Sequence, residues 1–80
     1  MKKELFTLND CGNITINIKP IMNEKHITRN ALARAINTRF EVIDKWYHGY
    51  VEKIDSDILA RLCFVLECNP DAIIKYHIRK

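Results

Sequence analysis

Six cations lie between Lys25 and Lys53 (Lys25, Arg29, Arg34, Arg39, Lys45 and Lys53), against three acids, Glu41, Asp44 and Glu52. Guanidinium and ammonium groups hydrogen-bond and neutralise anionic oxygens. The excess suits an anionic partner, although a solvated surface of mixed charge has the same composition. The whole chain carries a net charge of +3. Three cysteines (Cys11, Cys63, Cys68) and three histidines (His26, His48, His77) complete the reactive inventory. An odd cysteine count cannot pair fully within one chain. No Cys-x-x-Cys occurs and the histidines are scattered, so no metal site is expected. Cys63 and Cys68 fall in an apolar stretch and read as small buried hydrophobes. There is no His-Glu-x-x-His, no Gly-x-Ser-x-Gly and no phosphate-binding glycine loop, and two glycines cannot build a glycine-rich cradle. The pattern argues against an enzyme, a cofactor or a small-molecule substrate.

The frame that positions these groups is small. Eighty residues, 48% of them apolar and 29% charged, make one globular domain with a modest core. No stretch approaches the roughly 18 apolar residues that span a bilayer. The charged start Met1-Lys2-Lys3-Glu4 leads into no apolar run or cleavage site, so a cytoplasmic location is expected, in keeping with reduced thiols.

Along the chain, residues 1–17 read as an extension. Glu4–Leu8 and Asn13–Ile18 are β-prone and flank the turn formers Asn9–Asn13, which admits an N-terminal β-hairpin. Helical periodicity follows over 18–76. A first helix is expected over Lys19–Lys25, with Ile18, Ile21 and Met22 on its inner face and Pro20 in its first turn. Thr28 is a natural cap for a second, Arg29–Ile36. Asn37 tolerates the left-handed conformation that ends it. A third helix starts at Thr38 or Arg39, where Thr38-Arg39-Phe40-Glu41 fits a capping box, and ends at His48-Gly49. Asp55 caps a fourth, Ser56–Glu67, with Ile58, Leu59, Leu62, Cys63 and Leu66 inward. Asn69-Pro70 opens a fifth, reaching Tyr76. Residues 77–80 form a basic tail.

The second and third helices are joined by a turn too short to let them lie side by side, so they must cross. Ala33 permits close approach, Asn37 makes the turn, and Ile43 and Trp46 anchor the second helix ten and thirteen positions after Ala33. That is the spacing of a helix-turn-helix, whose second helix enters the DNA major groove. A generic helical hairpin shares these common residues.

Over about Ile18–Ile74 the chain resembles the Cro/C1-type (XRE-like) helix-turn-helix regulators of bacteria, phages and mobile elements. The resemblance rests on Lys25-His26-Ile27-Thr28 before Leu32-Ala33, on Ile43-x-Lys45-Trp46-x-x-Gly49, and on Leu59-x-x-Leu62-Cys63-x-x-Leu66-x-Cys68. It implies an all-α, five-helix domain that binds duplex DNA and regulates transcription, commonly as a homodimer on an inverted repeat. Asn37 stands where members usually carry glycine, Arg29 where they often carry glutamine, and Phe40 where a polar residue is usual. Tyr47-His48-Gly49 replaces their Glu-Asn-Gly.

By that resemblance Arg39, Phe40, Glu41 and Lys45 face base edges. Arg39 and Lys45 suit guanine or phosphate, Phe40 a thymine methyl, and Glu41 cytosine N4. Competing readings are a helix cap for Glu41 and packing against the turn for Phe40. Arg29, Lys53 and the backbone at His48-Gly49 are phosphate candidates, with a solvated side chain the alternative for Lys53. Trp46 belongs in the core. Phe64 lies off the apolar face of its helix and is expected to be exposed, which would suit a dimer contact. Two rival functions share the fold: an antitoxin-like or accessory protein-interaction module, and a DNA-architectural factor of a mobile element.

Overall fold

The computed structural model describes residues 8–79. Its helices are α1 (Lys19–Glu24), α2 (Arg29–Ala35), α3 (Phe40–His48) and α4 (Ser56–Leu66); its strands are β1 (Asn13–Ile16) and β2 (Ile74–His77). Short 3-10 turns cover Leu8–Asp10 and Pro70–Ala72.

The helix starts follow from capping chemistry. The Asn17 side chain accepts from Lys19 N–H (3.1 Å), Thr28 Oγ1 from Ala31 N–H (3.1 Å), and Asp55 Oδ1 from Asp57 N–H (2.9 Å). The helix ends share one device. His26, Asn37, Gly49 and Glu67 all have positive φ, and the residue after each donates its N–H to a carbonyl five positions back. This closure satisfies carbonyls that a helix end would otherwise leave bare. Three of the four residues are not glycine, so the chain accepts some local backbone strain to turn sharply.

The fold is not all-α, and the expected fifth helix does not form. Among the described residues there are four α-helices and a two-stranded antiparallel ribbon. Pro70–Ala72 makes a single turn with no side-chain cap from Asn69, and β2 follows. Ile74, Tyr76 and Ile78 alternate with polar residues, the period of a strand. The partner of β2 lies near the other end of the chain, in the register Asn13↔His77, Ile14↔Tyr76, Thr15↔Lys75, Ile16↔Ile74. The strand expected over Asn13–Ile18 is thus present but pairs with β2. Leu8, expected in the preceding strand, lies in a 3-10 turn, and Glu4–Thr7 lie outside the described residues.

One core joins the four helices and the ribbon. It contains Ile16 and Ile18 from the amino-terminal side, Met22, Leu32, Ala33, Ile36, Ile43, Trp46, Leu62, Leu66, and Ile73 just before β2. Cys63 and Cys68, expected as buried, are half-buried at its edge, because the groove beside α4 leaves them partly open. No helix among the described residues is long and apolar enough to cross a membrane.

Gly12 tests the ribbon. A Cβ there would lie 1.8 Å from the His77 carbonyl oxygen, and its N–H donates to Tyr76 Oη at 2.9 Å. Gly12→Ala must push the backbones apart, at a cost of about 1–3 kcal/mol. The expected result is a lower midpoint in thermal unfolding followed by circular dichroism. An unchanged midpoint would contradict the close approach of these strands.

Candidate nucleic-acid interface

The interface is built on α3, held to α2 by a short connection. Ile36 ends α2, Asn37 turns the chain at φ 58°, and Thr38 N–H reaches Ala33 C=O at 2.9 Å. Ile43 and Trp46 are buried, with exposures of 0% and 3%. They fix the roll of α3, so that Arg39, Glu41, Lys45 and His48 are exposed and Phe40 partly so. The expected capping box is absent. The N-cap is Arg39, one residue later than Thr38, and no side chain caps it. Thr38 is instead engaged by its own N–H in closing α2, which delays the start of α3.

The exposed cations are grouped. Arg39, Lys45 and Lys53 line one open cleft of about 530 Å³, together with Thr38, Val42, Tyr50 and Glu52. Asp55 also lines it, so this concave strip along one side of α3 carries three cations against two acids. Donors so arranged can meet phosphate or guanine oxygens. Tyr50, exposed, adds a hydroxyl at the rim, and its ring stacks on His48 at 5.7 Å.

Residues 17–77 match the family model of the Cro/C1-type helix-turn-helix DNA-binding domain, over more than half of the chain. The chain belongs to that family. The Cro/C1-type fold is also seen in solved structures. A Bacteroides fragilis protein described as a candidate DNA-binding protein superposes with a TM-score of 0.69 at 22% identity, covering 79% of this chain and 100% of its own. The transcriptional regulator VanUg superposes with a TM-score of 0.68 at 16% identity, over 98% of this chain and 100% of its own. At these identities the likeness is one of fold. No curated protein sequence matches the chain significantly.

Within this Cro/C1-type domain, Arg29, a phosphate candidate, is ion-paired and partly exposed. Its Nη1 donates to Asp44 Oδ1 at 2.6 Å, and its guanidinium lies 4.6 Å from the Tyr47 ring centroid and 5.6 Å from that of Phe40. The carboxylate, across the helix crossing, neutralises Arg29 where it stands. Asp44 Oδ1 also lies 3.3 Å from His48 Nε2, one helical turn on. Lys19 approaches the Tyr47 ring at 5.6 Å. Arg29, Phe40, Asp44, Tyr47 and His48 therefore form a polar and aromatic clamp that locks α3 to α2. Phe40 packs toward this clamp while keeping 38% of its surface open.

Support from behind comes from α4. Arg61 donates from Nη1 to Ile36 C=O at 3.0 Å and from Nη2 to Asp57 at 2.8 Å, tying the end of α2 to α4. Asp44, Arg61 and Tyr50 were not expected as members or supports of the site. The i,i+4 spacing of Asp44 and His48 is a local signal. The Arg29–Asp44 pairing, by contrast, exists only once the helices cross.

Proposed function

We propose that this chain reads duplex DNA in a sequence-dependent manner and regulates transcription, with α3 in the major groove. The carrying observation is the roll of α3: Ile43 and Trp46 are buried behind it, and Arg39, Glu41 and Lys45 stand open in front. In this reading Arg39, Phe40, Glu41 and Lys45 face base edges. Lys53 and the His48-Gly49 backbone meet phosphate. Arg29 then acts chiefly by holding α3 at its angle through Asp44, with any phosphate contact made by the remaining Nη2. Two copies on an inverted repeat would double the contact surface.

Arg39→Ala tests the reading. The side chain is exposed at the N-cap and makes no cap hydrogen bond, so folding should change by no more than about 0.5 kcal/mol. Affinity for a site chosen by random-site selection should fall by about 1–3 kcal/mol if Arg39 holds a guanine in bidentate fashion, with relaxed preference at one base position. A phosphate contact would weaken all sequences alike. Parent affinity together with parent preferences would remove α3 from the interface.

A second reading has an observation of its own. Phe64 is 84% exposed on α4, between a groove with Ala60, Cys63 and Pro70 and another with Ala35, Ala60 and Val65. Exposed aromatics beside apolar grooves suit protein contacts. They would serve a dimer on DNA, or an antitoxin-like or accessory module. A protein that selects no DNA site would favour the module, whereas one that selects asymmetric sites would favour a DNA-architectural role.

A further inference from the structure

Cys63 and Cys68 stand outside everything proposed for DNA. They are five residues apart across the end of α4, and the backbone brings them together. Glu67 takes the left-handed conformation at φ 54°, and Cys68 N–H donates to Cys63 C=O at 3.1 Å. This closure places the side chains of its first and last residues against each other. Here they are two thiols, both half-buried at the same helix end. Both line one open groove with Ser56, Leu59, Phe64 and Pro70, so a small reagent can reach them. Lys25, whose Nζ bonds Glu67 Oε1 at 3.0 Å, is a nearby cation that offsets only part of the upward push that burial gives the Cys68 thiol. The remaining thiol, Cys11, is exposed and donates to Gly12 C=O.

The geometry points to a thiol-exchange site at Cys63–Cys68, oxidised by a low-molecular-weight disulfide to an intramolecular disulfide that closes residues 63–68 into a covalent loop. The exchange balances. The Cys63 thiol loses its proton and attacks one sulfur of the small disulfide, and the displaced thiolate takes up a proton. Cys68 then loses its proton and attacks Cys63 Sγ, expelling the second small thiolate, which is protonated in turn. Two protein thiols are oxidised, and one small disulfide is reduced to two thiols. Burial pushes the Cys68 thiol up, so its attack in the second step relies on the nearness of Cys63 that the turn imposes and not on a standing thiolate. Disulfides in reducing compartments are characteristically transient and redox-sensing, the behaviour of a half-buried pair beside an open groove.

The test uses the full chain as a Cys11→Ser variant, incubated with glutathione disulfide, alkylated, and read by intact mass and peptide mapping. The expected product has lost two hydrogens, carries no glutathione, accepts no alkylating groups, and yields a peptide cross-linked between Cys63 and Cys68. The added Cys68→Ser change should halt the reaction at a mixed disulfide on Cys63. Because the approach depends on the folded turn, cross-linking should slow at least about tenfold in denaturant, where the effective concentration of one thiol at the other is lost. Persistent glutathione on both cysteines, unreacted thiols, or an equal rate in denaturant would each overturn the proposal.

Discussion

Trp46→Ala is expected to come close to unfolding the protein. The indole is 3% exposed and joins α3 to a core shared with α2, α4 and the strands. Removing it leaves a cavity that rigid neighbours cannot close, at a cost of about 3–5 kcal/mol. At ~0.05–0.15 kcal/mol per residue, a domain of this length holds only about 4–12 kcal/mol in total. The midpoint of thermal unfolding should therefore fall by at least ~12 °C, or the transition should vanish. Trp46→Phe keeps most of the volume and should lose much less. A Trp46→Ala protein with the parent midpoint would mean that the ring is not a core anchor, and the roll assigned to α3 would lose its main support.

The same residue shows what the sequence alone could reveal. Ala33, Asn37, Ile43 and Trp46 lie within one local helix pair, and local spacing was enough to place them. Thr28 and Asp55 were legible as caps because a cap satisfies N–H groups two or three residues away. The error at the carboxyl end has a physical cause. Asn69-Pro70 does start a helical turn, but Ile74–His77 is claimed by β1, whose Ile16 opposes Ile74. Strand pairing over that chain distance has no local signature, although the alternation of Ile74, Tyr76 and Ile78 was a hint. His26 and Glu67 hid their left-handed turns because neither is a residue that prefers that conformation. At the site, the exposed positions of Arg39, Glu41 and Lys45 followed from the buried period of their helix. The tie of Arg29 to Asp44 did not, since it needs the crossing geometry of two helices.

That tie shapes the second large effect, the response of DNA affinity to salt. Each phosphate neutralised by a cation releases condensed counterions, so affinity falls with salt in proportion to the number of phosphates engaged. Arg39, Lys45 and Lys53 share one open cleft, whereas the charge of Arg29 is already met by Asp44 at 2.6 Å. If two copies bind one site and Arg39 and Lys45 reach phosphate as well as Lys53, about six phosphates are engaged, which predicts a slope of log K against log[salt] of roughly −5. With Arg39 and Lys45 on base edges alone the slope would be only about −2. Between about 50 and 200 mM salt the affinity for a selected site should drop about a thousandfold. If Arg29 left Asp44 to join them, about eight phosphates would be neutralised and the slope would steepen to roughly −7. Lys53→Ala should make the parent slope shallower by about two units, since each copy then neutralises one phosphate fewer. Fluorescence anisotropy titrations of a labelled duplex at several salt concentrations give these slopes directly. A slope near zero would show that the cleft does not meet phosphate, and the interaction surface around Phe64 would become the better account of what this domain binds.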